Sequence, residues 1–198
     1  HPGELRELVK LVRPDVAIIT TVDLAHSEFF ENVEEIAEAK AEIFTTMNNG
    51  GTAILNGDNP HFSLLKKRAE EAGVDRIVSF GESEFSDVKV KRYFFHDTYS
   101  CVIADIIGKN MTYKVGMLGY HWVMNSLAVL AAVDVIGADL GLCGLGLAEL
   151  QPLAGRGRRD RIYFDIATEE SFLLIDESYN ANPASMKAAI LTLGQCEN

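Results

Sequence analysis

Lys40 has the placement most suggestive of chemistry. Ile36, Ile43 and Phe44 stand four residues before it and three and four after it, so the lysine shares the apolar stripe of a helix. Burying an ammonium is costly, and burial shifts a lysine toward its neutral, nucleophilic amine. Such an amine can add to carbon dioxide, and the carbamate so formed is an anion able to hold a metal. The competing reading is a stem that packs and a head that snorkels out to water. His26 follows the apolar run Val16 to Thr20, in a segment expected at or beyond the carboxyl end of that strand, where ligands of open α/β sheets gather. An imidazole there could ligate Mg2+ or Mn2+ beside oxygen donors, with Asp23 and Glu28 close by. A solvated loop histidine is the plain alternative.

Further polar segments sit between an apolar run and a helix pattern. Asn56-Gly57-Asp58-Asn59-Pro60 is accounted for by a turn and a helix cap. In Asp176-Glu177-Ser178-Tyr179-Asn180-Ala181-Asn182-Pro183, Asn182 reads as the cap and Pro183 as the first helical residue. Capping leaves Asp176, Tyr179 and Asn180 without a structural task, which suits a ligand. Gly119-Tyr120-His121-Trp122-Val123-Met124-Asn125 enters an apolar helix. Asn125 is polar in that setting and needs a partner, and an adenine edge would serve because an amide donates and accepts at once. Arg156, Arg158, Arg159 and Arg161 form the one basic cluster; they could touch phosphate, though a solvated linker is the default for most of them. There is no Walker-type phosphate loop, since Gly141 to Gly146 has neither lysine nor hydroxyl at the needed spacing. No Ser-His-Asp or Cys-His set stands out.

The elements that must position these residues alternate. Helix spacing over Glu4 to Val12, a strand at Val16 to Thr20, and a helix over Asn32 to Met47 with Asn32 and Glu35 as a capping box come first. A strand at Thr52 to Leu55, a helix from about Pro60 to Ala72 and a strand at Arg76 to Phe80 continue the rhythm, which implies an α/β fold with a mostly parallel sheet flanked by helices. The run Val16 to Thr20 is of the kind that lies deep in such a sheet. Val88 to Phe95, Tyr99 to Ile107 and Met111 to Leu118 read as a small antiparallel β meander. A helix over His121 to Ile136, a short one near Leu142 to Leu150, a basic linker at Arg156 to Arg161, a hairpin-like pair and a last helix complete the chain.

The 198 residues carry 18 Lys plus Arg against 29 Asp plus Glu, a formal charge of −11. That balance argues against nucleic acid or an anionic membrane surface as main partner, while leaving room for a nucleotide at a local site. Leu127 to Val133 is the most apolar stretch and too short to span a bilayer. Cys101, Cys143 and Cys196 have no disulfide or zinc spacing and fit buried thiols in a reducing cytoplasm. The sequence has no signal-peptide pattern, opens on His1-Pro2-Gly3 and stops on Cys196-Glu197-Asn198; both ends are expected to be cuts through a longer protein.

Taken together, these segments resemble the Mur ligases. The resemblance rests on His1-Pro2-Gly3-Glu4, on Ala25-His26 followed by Ala39-Lys40-Ala41-Glu42-Ile43, on Gly119-x-His121 through Asn125-Ser126-Leu127-Ala128, and most specifically on Asp176 to Pro183. It implies an ATP-dependent ligase of peptidoglycan-precursor synthesis, of the branch that adds D-alanyl-D-alanine to UDP-N-acetylmuramoyl tripeptide through an acyl phosphate. It further implies Lys40 as a carbamate and His26 as catalytic, metal-holding residues. His121, Asn125, Arg156, Asp176, Tyr179 and Asn180 would bind nucleotide, with Mg2+ or Mn2+ as the ion and a cytoplasmic location. Residues 1–155 would be the central ATP-binding domain and 156–198 the start of a Rossmann-like C-terminal domain. Trp122 departs from the pattern, standing where many members carry an asparagine beside adenine, so that contact becomes stacking or is lost. Ser27 replaces a common leucine. The family's phosphate loop and a metal-binding glutamate would lie upstream of His1, so the chain alone is expected to be inactive. Two rivals stay open: a sister ligase (diaminopimelate- or lysine-adding, or a folylpolyglutamate synthase), and a non-catalytic remnant that binds nucleotide or a partner.

Overall fold

The computed structural model describes residues 3–23, 30–165 and 170–194. Strands β1 (Val16–Ile19), β2 (Thr52–Asn56), β3 (Arg76–Gly81), β4 (Val88–Phe95), β5 (Ser100–Ile106) and β6 (Lys109–Val115) form one six-stranded sheet in that order. The first four pair in parallel and the last three as an antiparallel meander, so the mixed α/β architecture expected from the sequence is present. β3 and β4 share only Phe80↔Val88 and Gly81↔Lys89. β4 therefore starts where β3 stops, and the meander projects past the carboxyl ends of the parallel strands.

Alternation along the strands sorts two cores. Ala53 and Leu55 of β2 face helices α2 (Val33–Ala41) and α3 (Phe62–Glu71), with Ile36, Phe44 and Leu65. Ile54 of the same strand faces the opposite side, with Val78, Phe80, Val102 and Ile106, under helix α4 (Tyr120–Val135) and its Leu127 and Leu130. Helix α4 is apolar nearly all round because it lies between the sheet and helix α5 (Leu140–Ala148). Helix α1 (Glu4–Val12) packs on the chain just beyond α2. A separate hairpin, β7 (Arg158–Asp165) and β8 (Glu170–Asp176), leads to helix α6 (Pro183–Leu193).

The structure corrects three expectations. Helix α2 ends at Ala41 and Glu42–Thr46 tightens into a 3-10 helix, so the pattern over residues 32–47 is not one α-helix. β1 is an edge strand among the described residues, with Ile18 37% exposed, and so does not lie deep in the sheet. Arg158 to Arg161 belong to β7 rather than to a linker. The predicted caps are present: Asn32 accepts from the Glu35 amide and Asn182 from the Ser185 amide, each at 2.9 Å.

Candidate functional site

Lys40 stands in the last turn of α2, half-buried, one turn after buried Ile36 and one turn before buried Phe44. Among the described residues its amine has neither a hydrogen-bond acceptor nor a carboxylate partner. Its helix is held from two sides. Arg68 of α3 grips Glu38 with two hydrogen bonds of 2.7 and 2.5 Å, and this contact holds the Glu38 carboxyl below its usual range. Glu42, only 9% exposed, accepts from the Gly3 amide at 2.8 Å and the Arg6 amide at 3.1 Å. It thereby satisfies amides at the start of α1 that no intrahelical carbonyl reaches. No local pattern marks this carboxylate's task, because its partners lie 39 and 36 residues away.

His26 and Glu28 fall outside the described residues; Asp23 is described and exposed. No group of three or more His, Cys, Asp or Glu among the described residues could hold a metal ion. The segment leading toward His26 is nonetheless gripped. Asn56 donates to the Thr20 carbonyl at 2.9 Å and Asn59 to the Val22 carbonyl at 3.1 Å. Asp58 accepts from the Glu82 and Ser83 amides at 2.6 and 3.1 Å. The turn-and-cap reading of Asn56 to Pro60 is therefore corrected: the N-cap of α3 is His61, with no side-chain cap bond, and the loop instead ties the carboxyl ends of β1, β2 and β3 together.

α4 begins at the same edge of the sheet. Gly119 has φ +120, and a Cβ there would fall 2.7 Å from Thr192 Oγ1 of α6 and 3.0 Å from the His121 ring. Only glycine suits that junction. His121 is half-buried, and burial holds its imidazole below the usual histidine range. Asn125 follows one turn later on the same face, half-buried, with no hydrogen bond to a described residue. Tyr93 of the projecting meander stands 5.8 Å, ring to ring, from Tyr120.

The hairpin and the turn after it hold another group of the expected residues. Asp176 accepts from the Gly155 amide at 3.0 Å and from the Ser178 amide and hydroxyl at 3.1 and 2.6 Å. Those bonds, chiefly to Ser178, hold it below the usual carboxylate range. Burial and the neighbouring Asp176 push Glu177 up. The Arg156 guanidinium lies 4.4 Å over the Tyr179 ring, and Gly155, at φ +74, leaves room for Tyr179 where a Cβ would come within 2.8 Å. Asn180 closes the 3-10 turn Ser178–Asn180. Three of the four arginines are otherwise engaged: Arg158 with Asp160 at 3.0 Å, Arg159 with the Asp97 carbonyl at 2.7 Å, Arg161 with Ser171 at 3.1 Å. Arg156, Asp176 and Tyr179 thus converge, while His121 and Asn125 form a second group on α4. A cleft of about 660 Å3 separates the sheet-and-α4 body from the hairpin and α6; Trp122, Gly157 and Glu177 line it.

The Mur ligase middle domain matches residues 1–133, two thirds of the chain. The chain belongs to that family. The UDP-N-acetylmuramoyl-tripeptide–D-alanyl-D-alanine ligase of Rickettsia prowazekii is 32% identical over 195 residues, covering 98% of the chain and 42% of that relative. The crystal structure of MurF from Acinetobacter baumannii superposes with a TM-score of 0.88 at 27% identity, over 100% of the chain and 41% of its own. MurF ligase from Thermotoga maritima in complex with ADP gives 0.81 at 25% identity, over 98% of the chain and 42% of its own. The chain therefore spans about two fifths of the length of the relatives it matches. For a Mur ligase middle domain, the mostly parallel sheet with helices on both faces is the family architecture, and the meander and the hairpin are matched as well.

Proposed function

We propose that the chain supplies the central ATP-binding portion of a ligase that joins D-alanyl-D-alanine to UDP-N-acetylmuramoyl tripeptide. Residues 1–155 form that portion and 156–198 open the following domain. The observation that carries the reading is Lys40, a half-buried lysine with no anionic partner among the described residues, on a helix packed against the parallel sheet. Similarity to a D-alanyl-D-alanine-adding ligase over 98% of the chain supports the choice of substrates. The Lys40 amine, in its deprotonated form, would add to the carbon of carbon dioxide, an N–C bond forming and a proton leaving, and the resulting carbamate with His26 would hold Mg2+. Among described residues, the free amine head is the feature that fits such a site. The ion, when bound, offsets charge on the phosphates and the developing oxyanion.

In the reaction the γ-phosphoryl group of ATP passes to the tripeptide carboxylate, giving an acyl phosphate and ADP. The dipeptide amine then attacks the acyl carbon and expels phosphate as the amide forms. Asn125 receives the adenine edge, with Trp122 stacking nearby and His121, kept neutral by burial, beside it. Arg156, Asp176, Tyr179 and Asn180 supply the opposite side of the nucleotide site. The setting is cytoplasmic; among the described residues no helix is long and apolar enough to cross a membrane.

Phosphate release tests the reading in a protein that joins this chain to a Gly-Lys-Thr/Ser phosphate loop, supplied with ATP, Mg2+, tripeptide precursor and D-alanyl-D-alanine. Release that needs both acceptor and dipeptide is expected, and Lys40→Ala should lower it at least a hundredfold. Release with a diamino acid and the dipeptide precursor, or with folate and glutamate, would move the chain to a sister ligase, and silence with every pair would favour a non-catalytic binder. The 198-residue chain alone is expected to show no ATP turnover.

A further inference from the structure

We infer that Glu42 is a positioning residue for Lys40, an inference that rests on the role proposed above for that lysine. Glu42 stands two residues after Lys40, where α2 gives way to the 3-10 helix. Among the described residues it is the one charged residue that is buried. Its two oxygens are both engaged by main chain: Oε1 takes the Gly3 amide at 2.8 Å and Oε2 the Arg6 amide at 3.1 Å, with the Arg6 guanidinium 3.8 Å from Oε1.

A carboxylate at a helix N-terminus accepts amides left without intrahelical partners and lies at the positive end of the macrodipole. Here that carboxylate comes from another helix, so the cap becomes a strut between the Lys40 segment and α1. The strut acts at the point where α2 could either continue as an α-helix or tighten. Residue 42 is the first residue of that tighter helix, and its side-chain bonds to the Gly3 and Arg6 amides pin it there. Holding residue 42 therefore fixes the last turn of α2, and with it the direction in which the Lys40 stem leaves the backbone. The Glu38–Arg68 clamp sits about one turn before Glu42 but is more exposed, each side chain 38% accessible. Water can replace that clamp more easily than it can replace the buried one.

The test compares the wild-type chain with Glu42→Ala, Glu42→Gln and, as a destabilised control in the other core, Val102→Ala. All are kept where far-UV circular dichroism shows them folded. Carbamate on Lys40 is read by 13C NMR in 13C-bicarbonate. Acylation of Lys40 by acetic anhydride, relative to Lys66, is read by mass spectrometry. Glu42→Ala should lower carbamate occupancy at least fivefold and change the relative acylation rate at least threefold. Glu42→Gln, which keeps one acceptor oxygen, should recover part of both, and Val102→Ala should leave both unchanged. If the wild type shows no carbamate, the reading of Lys40 fails while the acylation ratio still decides the positioning claim. Equal acylation of Lys40 in wild type and folded Glu42→Ala overturns it, as does an equal response in the Val102→Ala control.

Discussion

Burial holds the His121 imidazole below its ordinary value of 6.5, so the folded chain keeps the ring neutral where an unfolded chain would protonate it. The unfolded state then binds more protons below about pH 6.5, and stability falls as pH drops from there through the lowered folded value. His121→Gln should remove that part of the slope: urea denaturation at pH 7.5 and 5.5 should show a smaller acid loss in the variant than in the wild type. Glu177 runs the other way. Burial and Asp176 raise it above 4.5, so its contribution is lost as pH rises through the raised value, and the ionised form carries a cost at neutral pH. Glu177→Gln removes that ionised form while keeping the shape of the side chain, and should raise the melting temperature at pH 7, but not at pH 4. A variant that melts lower at pH 7 would show that the carboxylate is stabilising.

Local patterns made most elements readable at their own scale: the short unbroken run of β2, buried on both faces, the caps at Asn32 and Asn182, and the apolar run of α4. The errors have a common physical cause. α2 ends early at Glu42, whose carboxylate is taken by amides 39 and 36 residues upstream, and no local period encodes that contact. Arg158 to Arg161 look like a solvated linker, yet they alternate along an exposed two-stranded hairpin whose faces leave Phe164, Phe172 and Leu174 open. The candidate site was legible as residue types between strand and helix, while its connections were not. Asn56 and Asn59 read as turn residues, and only the fold shows them gripping the chain after β1. Asn59→Ala should cost about 0.5–1.5 kcal/mol, measurable by chemical denaturation. Leu127→Ala, in the fully buried seam between α4 and the sheet, should cost about 2–5 kcal/mol.

Across the whole molecule, the sheet-and-helix body and the hairpin with α6 are unequal partners. The body has two buried cores, whereas β7, β8 and α6 contribute no fully buried large side chain among the described residues. Few contacts tie them: the Arg159 bond to the Asp97 carbonyl and the close approach of Gly119 to α6. Amide exchange should therefore be faster in β7 and β8 than in β2 and β5, and peptide-resolved hydrogen exchange would show the difference. Gly119→Ala should widen the gap by forcing Thr192 away from a strained residue. The cleft between these parts holds one more consequence. Trp122 is the sole tryptophan of the sequence and lies on the cleft wall. Its emission is thus a built-in optical gauge of that cleft, free of background indoles, with which filling by an adenine nucleotide could be titrated without any label.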